Sequence, residues 1–153
     1  MLFLIFQLGP DRYALDARRV AEILPLVSIT KIPQAPTGVA GVLNYRGAPV
    51  PVIDLSELIL GQPARRCLST RIVLVHDGSD GGHARLLGLI AEHATETVQR
   101  AVSDFVPSGL LNGGTPYLGP VATDARGLMQ WIDVEMLLPR SVKDVLFTQA
   151  AAQ

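Results

Sequence analysis

The sequence predicts a mainly β fold. Its apolar runs are short, each broken by glycine, proline or charge, and they recur at turn-delimited spacing along 153 residues that include 14 glycines and 11 prolines. Many of the runs are rich in Val, Ile and Leu, as in Val50, Val52, Ile53 and Leu55. Many short strands in one soluble unit point to barrels or a sandwich, because curling a sheet onto itself removes edge groups that otherwise need partners. Periodicity alone does not choose between the two.

Taken in order, the pattern places strands near 2–8, 12–15, 27–32, 39–45, 49–54, 71–76, 85–91, 94–98, 117–122 and 128–132. Asp16 can cap a short helix in which Val20, Ile23 and Leu24 share a face, and Asp54 or Ser56 can start another through Leu58 and Ile59. Asp133 or Ser141 can cap helical turns near the C-terminus. Residues 141–153 put Val142, Val145 and Leu146 at helical spacing, giving a terminal helix whose end frays. Trp131, the only tryptophan, stands among Met129, Ile132 and Val134 and reads as a core residue.

Length and composition fit one domain over 1–153. The apolar runs fall well below the roughly 18 residues of a membrane helix, so no direct membrane insertion is expected. The opening MLFLIF lacks a basic leader and a small-residue cleavage site, so it reads as a buried strand in a cytoplasmic protein. One cysteine, Cys67, forms no internal disulfide. With 13 basic and 14 acidic residues there is no whole-molecule field for nucleic acid, and the pair Arg65-Arg66 stands without a basic stripe or stacking platform.

Catalytic and metal chemistry find little footing. His76, Asp77, Asp80 and His83 are the densest set of potential ligands, but HDGSDGGH also reads as a glycine-rich hairpin connection. Cys67 has no histidine close in sequence, and Glu92-His93 lacks a second catalytic group. Gly113-Gly114 lacks the lysine and helix start of a phosphate loop. No cofactor, metal or catalytic residue is assigned, and the chain is expected to be no enzyme. A small metal-dependent hydrolase built around His76 and His83 is the weakest alternative.

The most informative stretch is GVLNYRGAPVPVIDL, from Gly41 to Leu55, which reads as a hairpin. Asn44 and Gly47 are expected to supply the positive φ of the turn, and Pro49 and Pro51 to place the second strand at an edge or to open it at its start. On local physics Arg46 is a solvated turn residue. The same stretch, however, resembles the signature of the CheW chemotaxis coupling family: Asn44-Tyr45-Arg46-Gly47, then Val50-Pro51-Val52-Ile53-Asp54-Leu55. Phe3 to Gly9, Tyr13 to Asp16, Val20 to Ile23, and Thr30-Lys31-Ile32-Pro33 extend the likeness over residues 3–60. Beyond, it holds in pattern more than in identity. Ala91-Glu92-His93 stands where the family commonly has an acidic Val-Asp pair, and the usual glycine-rich approach to the last strand is altered between Tyr117 and Arg126.

That resemblance implies two small five-stranded SH3-like barrels packed together, with short helices and a break near 62–69. It implies a non-enzymatic adaptor joining the cytoplasmic tip of a methyl-accepting chemoreceptor to a CheA-type histidine kinase, within a membrane-associated receptor array. Contacts with itself or with the kinase's regulatory domain, which has the same fold, can close into rings. A self-assembling scaffold or a competitor in such an array is the alternative. By position in the motifs, Arg46 and Glu22 are the expected partner-binding residues, with Asn44, Val20, Ile23 and Thr30 beside them. Arginine suits the role because its planar fork offers several donors and is enriched at binding hot spots. Glu22 and Arg46 could instead pair with each other, for at most about 1 kcal/mol if exposed.

Overall fold

Alternation along the first strand already divides the interior in two. In the computed structural model, which describes residues 1–78, 85–107 and 115–152, β1 (Leu2–Leu8) sends Phe3 and Ile5 into one cluster with Ala14, Phe105, Ala122 and Met129. Its other face sends Leu4, Phe6 and Leu8 into a second, larger cluster. A strand buried on both faces reads as continuously apolar, which is why LFLIFQL shows no alternation in sequence.

β2 (Asp11–Asp16) pairs antiparallel with β1, and a 3-10 turn at Ala17–Arg19, where the Asp16 carboxylate accepts from the Arg18 amide at 3.0 Å, leads into β3 (Val20–Pro25). β4 (Val39–Tyr45) and β5 (Ala48–Asp54) form the hairpin, and α1 (Leu55–Leu60) follows, with the Asp54 carboxylate accepting from the Glu57 amide and Gly61 closing the helix at φ 78°. Then come β6 (Arg71–Asp77), β7 (Arg85–Gln99), β8 (Leu118–Asp124) and β9 (Gly127–Ile132). A 3-10 turn at Val134–Met136 and α2 (Arg140–Ala151) complete the described chain.

The 15-residue β7 organises the whole. Its first half pairs with β6 and, in parallel, with β5, while its second half pairs with β1. Two five-stranded groups result, β4-β5-β7-β6-β3 and β7-β1-β2-β9-β8, sharing that strand. Each is an SH3-like unit around its own cluster. Leu43, Val50, Val52, Ile72, Leu74 and Ile90 fill the first and the Phe3 cluster fills the second, while the Leu4-Phe6-Leu8 cluster lies between them. Burying side chains of this size contributes roughly 1.5–3 kcal/mol each. Among the described residues the ladders do not close into complete rings. Isolated bridges, Thr30 to Val42 and Val106 to Val121, tie the chain after β3 to β4 and the chain after β7 to β8.

Several expectations need correction. The helix predicted from Asp16 across Val20, Ile23 and Leu24 is strand β3, because pairing with β6 selects period two: Val20, Glu22 and Leu24 face inward and Ala21, Ile23 and Pro25 outward. The strand expected near 27–32 is reduced to the bridge at Thr30. The two strands expected at 85–91 and 94–98 are one, carried through a bulge where His93 takes φ 52°. Ser141 caps nothing, since Pro139 precedes α2, whereas Asp133 does cap the 134–136 turn. Pro49 and Pro51 lie where β5 has β4 as its only ladder neighbour, before β7 joins at Val52, so their missing N–H groups interrupt no second ladder. The segment 62–69 links α1 to β6 within one five-stranded group, and the chain passes between groups at Ala17–Arg19 and along β7.

Candidate partner-binding site

The turn joining β4 to β5 is tighter than expected. Tyr45 pairs with Ala48, leaving Arg46 and Gly47 as a two-residue loop, both at positive φ, 52° and 84°. This is the signature of a type I′ turn, whose twist matches the flanking strands. Asn44 was expected to take the left-handed conformation, but it stays in the strand and its Oδ1 accepts from the Gly47 amide at 2.9 Å. Arg46 therefore carries the backbone penalty, about 1–2 kcal/mol for a residue with a Cβ. The strands on either side, with Leu43, Val50 and Val52 buried, hold the turn in place.

That geometry sets the Arg46 side chain, 75% exposed, above β3. Its Nη2 lies 3.9 Å from Glu22 Oε1, and its guanidinium carbon sits 5.1 Å from the centre of the Tyr45 ring. The Tyr45 phenol is pushed above its ordinary pKa, first by hydrogen bonding to the Glu22 carboxylate and then by burial, with Arg46 acting in the opposite direction. Glu22, Tyr45 and Arg46 thus form one cluster at the open rim of the first unit. Tyr45 was not singled out from sequence, although its place next to Arg46 before a two-residue turn is a usable signal.

The other expected residues are not all gathered there. Asn44 braces the turn from below. Val20 is half-buried and packs against the cluster between the two units. Ile23, 42% exposed, lies on the opposite face of β3 from Glu22. Thr30 uses its amide and carbonyl in the bridge to Val42, at 2.8 and 2.7 Å, leaving only its side chain on the surface.

Residues weighed for chemistry have other tasks. Asp77 is buried against Lys143 and Arg85, and Glu92 accepts from the Arg65 amide at 2.9 Å. His76 is half-buried on β6, while Asp80, His83, Gly113 and Gly114 lie outside the described residues. Cys67 is exposed, and contacts to the Ser69 and Thr70 hydroxyls hold its thiol below the ordinary value. Trp131 is half-buried, edge-on to Phe3 and Phe105 at 4.9 and 5.1 Å.

Fold and site together define a mainly β protein of two SH3-like units that displays a charged, aromatic-backed surface. The chain belongs to the family described as the CheW-like domain, whose model matches residues 2–142. It is 27% identical over 138 residues to a chemotaxis protein CheW of Klebsiella aerogenes, covering 89% of this chain and 80% of that one. It is 28% identical over 108 residues to the protein FrzA of Myxococcus xanthus, covering 71% and 64%. In three dimensions it is similar to the scaffolding protein TtCheW of Thermoanaerobacter tengcongensis, with a TM-score of 0.79 and 26% identity over 90% of this chain and 87% of that one.

Proposed function

We propose that this chain is a non-enzymatic adaptor of a chemosensory array, coupling the cytoplasmic tip of a methyl-accepting chemoreceptor to a CheA-type histidine kinase. The observation that carries the reading is the Glu22-Tyr45-Arg46 cluster, in which a strained two-residue turn presents a largely solvated guanidinium. Holding Arg46 in the left-handed region costs stability and has no evident folding purpose, since Gly would serve the turn better. Names of the relatives, chemotaxis proteins and a scaffolding protein, support the setting. The Glu22 contact, long at 3.9 Å and solvated on its arginine side, adds little to stability and leaves Arg46 available to a partner carboxylate or carbonyl.

In this reading the chain works in the cytoplasm at the receptor array as a single domain of two units. Among the described residues no helix is long and apolar enough to cross a membrane. The decisive experiment reconstitutes receptor tip, kinase and this protein, and reads kinase autophosphorylation. The expected result is that adding the protein brings autophosphorylation under receptor control. Binding without that control makes the protein a scaffold or competitor, and no binding to either partner refutes the proposal.

A further inference from the structure

Lys143 is buried where an amphipathic helix would ordinarily place an apolar residue. It lies one turn before Leu146 on the inner face of α2, is 7% exposed, and joins Leu146 and Ala150 against the cluster between the two units. Its Nζ donates to Asp77 Oδ1 and to the Glu135 carbonyl oxygen, each at 2.7 Å. Those acceptors belong to different halves of the molecule: Asp77 ends β6 in the first unit, and Glu135 lies in the turn that follows β9 in the second. The Glu135 carboxylate pairs in turn with Arg19, on the segment crossing from β2 to β3. Arg85 adds a second cation to Asp77 at 3.4 Å and lies 4.1 Å from the centre of the Phe147 ring on α2.

An apolar side chain at this position would be at least as good for stability, because desolvating a lysine and an aspartate offsets most of their attraction. What an ammonium supplies and a methylene cannot is direction, with donors that must meet specific acceptors. Among the described residues the only continuous strand between the units, β7, is bulged at His93 and can bend there. We propose that Lys143 is a positioning residue that fixes the angle between the two units by clamping α2 across their seam, and so sets the relative orientation of their partner-binding faces. The coupling part of this inference rests on the adaptor reading above; the geometric part does not.

The test uses three variants of the full chain: Lys143→Met with Asp77→Leu, which replaces the pair by apolar groups; Lys143→Met alone; and Lys143→Arg, which keeps a buried donor. Nitroxide labels at Leu68→Cys and Leu128→Cys, both on exposed positions of different units, in a Cys67→Ser background, report the distance between units. The unmodified pair should give a narrow distribution. The double apolar variant should melt close to the parent yet show a broadened or displaced distribution, with Lys143→Arg restoring the narrow one. In the reconstituted assembly, receptor control should fall at least about five-fold in the double variant, the scale of a modest coupling energy, while kinase capture is kept. A distribution unchanged in a folded double variant overturns the clamp, as does a changed one with receptor control intact. Lys143→Met alone leaves buried Asp77 with the 3.4 Å Arg85 contact in place of its 2.7 Å ammonium partner, so it should be less stable than the double variant, and the buried-pair assignment is refuted if the two melt alike. If the parent itself confers no receptor control, the adaptor reading fails while the distance measurement still decides the geometry.

Discussion

Replacing Arg46 by glycine and by alanine separates its backbone from its side chain. At φ 52° the arginine sits in a region that costs a residue with a Cβ about 1–2 kcal/mol, and alanine keeps that cost while glycine removes it. Against the relief, glycine loses the Glu22 contact, worth at most about 1 kcal/mol for a pair this exposed, and gains about 0.4–1 kcal/mol of unfolded-chain freedom. The balance lies between about −1 and +1.5 kcal/mol, at most roughly 3–6 °C in melting temperature for a chain of this size. Arg46→Gly should therefore be no less stable than Arg46→Ala, the reverse of their order at an ordinary strand position. Both should lose partner binding equally. Loss of a hot-spot arginine costs about 2 kcal/mol or more, some 30-fold in dissociation constant. Thermal melts and titration calorimetry against the kinase and the receptor tip measure the two effects on the same samples. Undiminished affinity of folded Arg46→Ala for both partners would falsify the contact assignment. Loss confined to Arg46→Gly would instead put the function in the shape of the turn.

Gly41, at φ 144°, lies so close to Thr30 that a Cβ there would run into the Thr30 carbonyl oxygen, so Gly41→Ala should cost at least about 2 kcal/mol and open the bridge to Val42, seen as faster amide exchange at Thr30 and Val42. Acid should also weaken the second unit. The Arg12 guanidinium hydrogen-bonds the Asp124 carboxylate and holds its pKa down, burial opposing. Its contribution is present above the unfolded value, near 3.9, and is lost as pH falls from there through the lower folded value. Urea midpoints should thus drop as pH falls below about 4, and Asp124→Asn should flatten that part of the profile; an unchanged slope counts against the pair.

Hairpin β4-β5 was legible because its information is local: a glycine-containing turn between two β-branched runs, with prolines where only one neighbour is needed. So was α1, whose Asp54 cap and Gly61 stop lie within a few residues of each other. β3 was not. Val20, Ile23 and Leu24 satisfy a helical spacing as well as a strand, and only the β6 edge, some 50 residues away in sequence, decides between them. The assignment of positive φ to Asn44 failed for a related reason. Composition marks a turn without saying which residues occupy its two central places, and the Tyr45–Ala48 pairing sets that register.

By itself the sequence determined a β-rich chain, its strand-forming runs, the Asn44-to-Leu55 motif and the candidacy of Arg46 and Glu22, because propensity, turn chemistry and motif spacing act over short stretches. Only the tertiary structure decided that one strand serves both five-stranded groups, that Tyr45 completes the Glu22–Arg46 cluster, and that Lys143 spans the two halves. Each of those depends on residues distant in sequence meeting at bonding distance, and a linear pattern of apolar and polar residues does not carry that information.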